Sequence, residues 1–126
     1  MYPSDLKYTK DHEWAKKSGN AIVVGVTHHA QEALGDVVYV ELPKLGTEVK
    51  AGERFGTIES TKAVSDLFSP ITGKVVKVND DLSSSPQKVN QEPYGGGWIV
   101  EIEPTGNDFD GLMDKAAYEK LLATAK

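Results

Sequence analysis

Lys62 is the side chain whose surroundings best suit a chemical role, because it lies between two strand-like segments. Residues 55–60 and 64–69 contain Thr, Ile, Val, Leu and Phe, which strands favour, and the stretch 60–63 between them is too short for a helix. The pattern predicts a hairpin that presents Lys62 to solvent on a rigid stem. Such a position suits a covalent attachment better than a buried ion pair. Taken alone, a lysine there is more simply a solvated turn residue.

Sites for nucleophilic catalysis or phosphate binding are not supported by the sequence. The chain contains no cysteine, which excludes disulfides, thiolate metal sites and cysteine nucleophiles. No G-x-S-x-G motif is present, and Ser60 and Lys62 do not have the spacing of a serine–lysine pair. Glycines 95–97 do not connect a strand to a helix, as a phosphate-binding loop would. We therefore expect no catalytic centre within this chain.

The three histidines do not predict a metal site. His12 is isolated in the sequence, and the adjacent His28 and His29 point about a quarter-turn apart on a predicted helix. No second cluster of His, Asp and Glu has the spacing of metal ligands. These patterns leave a binding or carrier protein as the expected class.

Composition and charge narrow the class of protein further. The chain has 126 residues, enough for one domain (1–126) with a core of its own, and its net charge of −5 argues against nucleic acid or an anionic membrane as a partner. No apolar run is long enough to span a bilayer, and the N-terminus has neither an apolar signal core nor Arg-rich transit character. The simplest expectation is a monomeric cytoplasmic protein. A mitochondrial protein that had lost its presequence would look the same.

The segments that must position Lys62 are predicted to be mainly short strands. The predicted strands lie within residues 7–17, 21–26, 36–42, 46–52, 55–60, 64–69, 74–79 and 98–103. Segments 46–52 and 69–75 have similar lengths and turn residues, which predicts two similar half-sheets with Lys62 at their symmetry point. Residues 80–90 are expected to be rich in turns and partly irregular.

Two helices are predicted beside the strands. Thr27 is the predicted N-cap of a short helix at 28–34, which ends at Gly35. A helical cap is predicted at about 108–125, with Asp114 as the N-cap of its helix. The residues expected to share one face of this helix are Tyr118, Leu121, Leu122 and Ala125. We expect that helix to pack on the outside of the β core.

Several segments, in chain order, resemble the H protein of the glycine cleavage system, and the likeness covers nearly the whole chain. The segments that carry it are YTKDHEW (8–14), AQEALGDVVYVELP (30–43), FGTIESTKAVSDL (55–67), SPITG (69–73), VN (89–90), PY (93–94) and GW (97–98). Glu59, three residues before Lys62, and Ala63 directly after it match the attachment motif of that family. His28, where many relatives have aspartate, and the serines 83–85 depart from the family pattern without touching that motif.

The resemblance implies a mainly β, barrel-sandwich hybrid fold of the lipoyl/biotinyl-carrier type, made of short antiparallel strands with a small internal helix and a C-terminal helix. It implies lipoate in amide linkage on Lys62 and recognition of Glu59 by the lipoate-attaching enzyme. The implied role is a non-catalytic shuttle. It would carry an aminomethyl group from the pyridoxal-phosphate enzyme glycine decarboxylase to the tetrahydrofolate-dependent aminomethyltransferase, and dihydrolipoyl dehydrogenase would reoxidise it.

The same resemblance implies that Glu13 and Asp66 line a cleft for the cargo. An aminomethyl group is cationic near neutral pH, so carboxylates beside it would stabilise it. The alternative for Glu13 is a solvated strand residue. Gly56 and Gly73 are expected to shape the hairpin, or to be ordinary turn glycines.

Four alternatives remain open from the sequence. A biotin carrier usually has methionines on both sides of its lysine, whereas Thr61 and Ala63 flank Lys62. Lipoyl domains of 2-oxoacid dehydrogenases are shorter modules that linkers join to a catalytic core. An H-like protein that relays lipoate to other acceptors would share the pattern seen here. A plain interaction module would carry no modification on Lys62.

Overall fold

The computed structural model describes residues 2–124 and shows a mainly β protein with short helices at its margins. The strands are β1 (Lys7–Tyr8), β2 (Glu13–Ser18), β3 (Ala21–Val26), β4 (Val37–Glu41), β5 (Glu48–Val49), β6 (Arg54–Ser60), β7 (Val64–Phe68), β8 (Gly73–Val78) and β9 (Val100–Pro104). The helices are α1 (His28–Leu34), α2 (Asp81–Ser84), α3 (Lys88–Gln91) and α4 (Lys115–Thr124), with a 3₁₀ turn at Asp108–Gly111. No helix among residues 2–124 is long and apolar enough to cross a membrane.

The strands form two antiparallel sheets that enclose one main core. Six strands pair in the order β1-β2-β3-β9-β8-β5, and three pair in the order β4-β6-β7. Both sheets contribute to one buried cluster, which includes Val24, Val75 and Ile102 from the larger sheet and Val40, Ile58 and Leu67 from the smaller. Alternate residues along each strand point to opposite faces, so one face of each sheet supplies this core.

The prediction of two similar half-sheets around Lys62 is wrong, since the sheets have six and three strands. The segments with similar turn chemistry became β5 and β8, which pair with each other at Glu48–Lys74 and Val49–Gly73 in the larger sheet. The hairpin that carries Lys62 belongs to the smaller sheet. The two segments with similar turns are strands that pair with each other. Similarity of turns does not indicate which sheet a strand joins.

The two glycines assigned to the hairpin have different roles. Gly56 lies in β6, where a Cβ would collide with the carbonyl oxygen of Glu41 on β4, so only glycine allows the two backbones to approach this closely. Gly73 lies in β8, and its Cβ would collide with the carbonyl oxygen of Glu103 on β9. The expectation that Gly73 shapes the hairpin is therefore wrong, because it serves the larger sheet.

The short helix α1 is confirmed at 28–34 with both of its predicted ends. The hydroxyl of Thr27 accepts a hydrogen bond from the backbone N–H of Ala30 at 3.2 Å, and Gly35 has a φ of 80°. Asn90 lies in α3 and links the C-terminal end of α1 to β4. Its side chain donates to the carbonyl of Gly35 at 2.8 Å and accepts from the N–H of Val37 at 2.8 Å. The predicted turn-rich segment 80–90 contains the one-turn helix α2 and most of α3, and Asn90 of α3 makes this connection.

The predicted C-terminal cap consists of the 3₁₀ turn and α4. The carboxylate of Asp114 accepts from the N–H of Ala117 at 2.9 Å, as an N-cap should. Tyr118 is fully buried and stacks on Tyr8 of β1 with ring centroids 4.7 Å apart, while Leu121 and Leu122 pack at the edge of this second cluster. Ala125, the last residue assigned to the shared face, lies outside the described residues. The helix packs against this second cluster, which is separate from the main core.

Candidate functional site

Lys62 lies at the tip of the β6–β7 hairpin, where local hydrogen bonds hold the turn. The N–H of Ser60 donates to the carbonyl of Ala63 at 2.8 Å, and the Ser60 hydroxyl accepts from the N–H groups of Lys62 at 3.3 Å and Ala63 at 3.1 Å. The N–H of Thr61 donates to the carbonyl of Asp36 at 2.9 Å, which ties the tip to the residue before β4. The Ser60 hydroxyl thus satisfies two N–H groups at the tip, as serine side chains commonly do in turns.

The side chain of Lys62 is exposed and runs past Gly35. A Cβ added at Gly35 would lie 3.5 Å from Cε of Lys62, so the lysine stem crosses the end of α1. Among residues 2–124, Lys62 makes no ion pair within 4 Å. Acylation of its amine would therefore break no salt bridge in the described part of the chain.

A cleft opens beside the hairpin, between β7 and α1. Its volume is about 370 Å³. The apolar walls comprise Val26, Ala30, Ala33, Leu34, Ile58, Ala63, Val64 and Leu67. The polar lining comprises Asp11, His12, Glu13, His29, Ser65 and Asp66. The cleft therefore combines aliphatic and polar surface in similar measure, and it contains three carboxyl groups, Asp11, Glu13 and Asp66.

Glu13 is the buried carboxyl group of this cleft. Only 2% of the residue is exposed, so the interpretation of Glu13 as a solvated strand residue is wrong. Oε1 accepts from the hydroxyl of Thr9 at 2.7 Å, and Oε2 accepts from the N–H of Phe68 at 3.2 Å. Burial raises the pKa of Glu13 to about 8, although these two hydrogen bonds oppose the rise and nearby Asp11 adds to it. The group is therefore largely protonated at neutral pH.

The two other acidic residues, Asp66 and Glu59, project from the same face of the β6–β7 hairpin, but only Asp66 lines the cleft. Asp66 on β7 is exposed and lines the cleft with Glu13. Glu59 on β6 is half-buried and does not line the cleft; it lies between Tyr39 and Val64 in one row across the three strands. The fold thus brings Glu13 and Asp66 together and leaves Glu59 apart from them.

A hydrogen-bonded group on the cleft wall was missed by sequence reasoning. His12, predicted to be isolated, lies with its ring centroid 4.5 Å from that of His29, and its Nδ1 lies 2.8 Å from the hydroxyl of Tyr118. No sequence signal indicates the approach of Tyr118, because 106 positions separate it from His12. Within residues 2–124 there is no group of three or more His, Cys, Asp or Glu side chains placed to hold a metal ion.

A two-sheet β domain that presents one lysine at a hairpin tip has the architecture of lipoyl- and biotinyl-carrier domains. The family model for the glycine cleavage H-protein matches residues 6–125. The glycine cleavage system H protein of Myxococcus xanthus (strain DK1622) is 68% identical over 121 residues, which cover 95% of this chain and 94% of the relative. That of Anaeromyxobacter sp. (strain K) is 59% identical over 118 residues, covering 93% and 92%.

The fold agrees with the sequence comparison. The crystal structure of a glycine cleavage system H protein from Mycobacterium marinum superposes with a TM-score of 0.87 at 40% identity, covering 96% of this chain and 98% of that one. The chain belongs to the glycine cleavage H-protein family.

Proposed function

We propose that this protein is the lipoyl-bearing shuttle of the glycine cleavage system and that Lys62 is its attachment residue. The observation that carries the proposal is the position of Lys62, exposed at the tip of a rigid hairpin and adjacent to a cleft that contains a buried carboxyl group. As a carrier component, the chain takes an aminomethyl group from glycine decarboxylase and delivers it to the aminomethyltransferase. Dihydrolipoyl dehydrogenase then reoxidises it, and the bacterial relatives favour a cytoplasmic location.

The surroundings of Lys62 fit a covalently bound lipoyl group. The amine is exposed and makes no ion pair with residues 2–124, so its conversion to a neutral amide costs little electrostatic energy. The aliphatic walls of the cleft suit a hydrocarbon chain, which gains free energy when it leaves water. When bound, lipoate supplies a disulfide that opens to accept the cargo and is restored by oxidation.

Glu13 and Asp66 are the residues that we assign to the cargo. Because Glu13 is buried, its protonated form costs less free energy than the ionised form while the cleft holds no cation. A cationic amine that enters beside it lowers the pKa of Glu13, because an opposite charge favours the ionised carboxylate. Asp66, exposed at the mouth of the same cleft, adds a second negative charge. The hydrogen bonds from Thr9 and Phe68 keep the Glu13 carboxyl oriented in either protonation state.

Glu59 is proposed as a contact for the lipoate-attaching enzyme. It lies near the end of β6, three residues before Lys62, on a sheet face where Tyr39 and Val64 are also exposed. The attaching enzyme can therefore meet Glu59 outside the cleft while Lys62 enters its active site. A Glu59→Gln variant should be modified more slowly, whereas Glu13→Gln should be modified at the wild-type rate. Equal rates for all three proteins would contradict this assignment.

Intact-mass and peptide analysis of protein made in lipoate-supplied cells tests the attachment. We expect one lipoyl group on Lys62 and none on a Lys62→Arg variant, which keeps the charge at the tip. Biotin at Lys62, or an unmodified Lys62, would refute the proposal. Glycine–bicarbonate exchange with glycine decarboxylase then separates a shuttle from a lipoate relay, since only the shuttle supports exchange. Lys62→Arg should abolish this exchange while the protein remains folded.

The cleft assignment has its own test. The lipoylated wild type, Glu13→Ala and Glu13→Gln are loaded with cargo, and the rate of cargo loss is measured. Both variants should lose cargo faster, because neither can supply a carboxylate to the cationic amine. A rate equal to that of the wild type in Glu13→Gln would show that Glu13 is structural.

A further inference from the structure

The C-terminal helix α4 reaches the cleft through one hydroxyl group. Tyr118 is fully buried, and its oxygen lies 2.8 Å from Nδ1 of His12 and 2.8 Å from the hydroxyl of Thr27. His12 precedes β2 and lines the cleft, while Thr27 caps α1, which forms another wall of that cleft. One phenol therefore joins α4 to two walls of the cleft.

The direction of these hydrogen bonds follows from counting donors. The Thr27 hydroxyl already accepts from the N–H of Ala30, and its other hydrogen-bond partner within residues 2–124 is Tyr118. Thr27 is completely buried, so a hydroxyl hydrogen without an acceptor would be costly. Thr27 therefore donates to Tyr118, and the Tyr118 hydroxyl donates to Nδ1 of His12. This order leaves the proton of neutral His12 on Nε2.

The backbone of His12 is also held in an unusual conformation. Its φ is 68°, in the left-handed region that residues with a side chain adopt only at a cost in free energy. The N–H of His12 donates to the carbonyl of Thr9 at 3.1 Å, and its carbonyl accepts from the N–H of Thr27 at 3.0 Å. These two hydrogen bonds fix the backbone of His12, and the hydrogen bond with Tyr118 fixes its ring. Backbone strain maintained in this way is characteristic of residues held for function.

We propose that Tyr118 is a positioning residue, which holds His12 so that its Nε2–H is offered to a hydrogen-bond acceptor on the arm of Lys62, either the amide oxygen or a sulfur atom. This inference rests on the proposed lipoyl function. Nε2 of His12 has no hydrogen-bond partner among residues 2–124, and the ring lines the cleft. The titratable groups that face that ring are His29, Asp11 and Tyr118, and Glu13 and Asp66 line the same cleft. Burial, and next the charge of His29, lower the pKa of His12 although Asp11 opposes them, and a lowered pKa favours the neutral ring whose Nδ1 can accept.

Tyr118→Phe is the test variant, and Tyr8→Phe is its matched control. Tyr8 is also fully buried and stacks on Tyr118, but its hydroxyl donates to the carbonyl of Pro3, away from the cleft. Both variants remove one buried hydroxyl from the same aromatic cluster. If the Tyr118 hydroxyl only stabilised the fold, the two Tyr→Phe substitutions would have similar effects.

The first measurement is a ¹⁵N NMR titration of His12 in the unmodified protein. In the wild type, neutral His12 should carry its proton on Nε2. Tyr118→Phe should raise the pKa of His12 by about 0.7 pH unit, the equivalent of one net hydrogen bond lost from Nδ1, and Tyr8→Phe should leave it unchanged. A proton on Nδ1 in the wild type, or equal titrations in the two variants, would overturn the proposal.

The second measurement is the rate of cargo loss from the lipoylated proteins. Tyr118→Phe should lose cargo about fivefold faster than the wild type, and Tyr8→Phe should not differ from it. Equal rates in the two variants would reduce Tyr118 to a stability role and overturn the proposal. If the wild type is not lipoylated, the proposed function fails. The titration of the unmodified protein still decides whether Tyr118 positions His12.

Discussion

Replacement of Glu13 by Gln should change how the stability of the protein depends on pH. Glutamine has nearly the same shape and can accept from the N–H of Phe68, but it cannot ionise. The folded wild type holds a carboxyl whose pKa rises from 4.5 to about 8, chiefly through burial. At a pH between these two pKa values, Glu13 is ionised in the unfolded chain but protonated in the folded protein.

The sign and size of the effect follow from linkage. The stability that the neutral Glu13 contributes is fully present below pH 4.5 and is lost as the pH rises to about 8. The wild type should therefore lose about 1.4 kcal/mol of unfolding free energy per pH unit across this window, about 5 kcal/mol in all. Because a domain of this size is stable by about 5–15 kcal/mol, the change is large enough to measure.

Urea unfolding of the unmodified protein at pH 5, 6, 7 and 8 is the appropriate assay. The fluorescence of Trp14, which is buried beside Glu13, reports the transition. The unfolding free energy of the wild type, relative to that of Glu13→Gln, should decrease steadily as the pH rises. If the wild type is only slightly more stable than the variant at pH 5, it should become the less stable protein at higher pH. Glu48→Gln is the control, because an exposed carboxyl meets water in both states. Parallel stability profiles for the wild type and Glu13→Gln would refute a buried neutral carboxyl.

Three further substitutions test how the fold supports the hairpin, each by urea unfolding. Gly56→Ala should cost about 1–3 kcal/mol, because the new methyl group collides with the backbone of β4; an unchanged midpoint would contradict the close approach. Thr27→Val should cost about 1–2 kcal/mol through the lost N-cap, and Thr27→Ser should restore most of it. Asn90→Ala should cost about 2–3 kcal/mol, since it leaves the N–H of Val37 and the carbonyl of Gly35 without partners. Amide exchange at Val37 should then accelerate, and unchanged protection would refute the role of Asn90.

Elements defined by neighbouring residues were predicted well. The hairpin around Lys62, the cap and end of α1, and the N-cap at Asp114 all depend on contacts within a few positions along the chain. Such contacts follow from residue type and spacing, so the sequence contains the required signals. The mainly β class follows in the same way from short apolar runs between turn residues, whereas the antiparallel arrangement of all the strands was implied by the family resemblance.

Features that depend on distant segments were missed or wrongly assigned. The larger sheet recruits both flanks of the hairpin, which the symmetry argument had divided between two sheets. Glu13 is buried, and its carboxyl accepts from the N–H of Phe68 on β7, 55 residues away. His12 looked isolated because its partners Thr27, His29 and Tyr118 are remote in the sequence. Packing of this kind leaves no periodic pattern in any single segment.

The sequence by itself determined that one lysine would stand at the tip of a hairpin, within a motif that resembles the H-protein family. Only the tertiary structure decided what that lysine faces. It placed Glu13 and His12 in a cleft beside the hairpin and attached that cleft to the C-terminal helix through Tyr118. The physical reason is that the protonation of a carboxyl or an imidazole depends on its desolvation and its hydrogen-bond partners. Both are set by segments that meet only after the chain has folded.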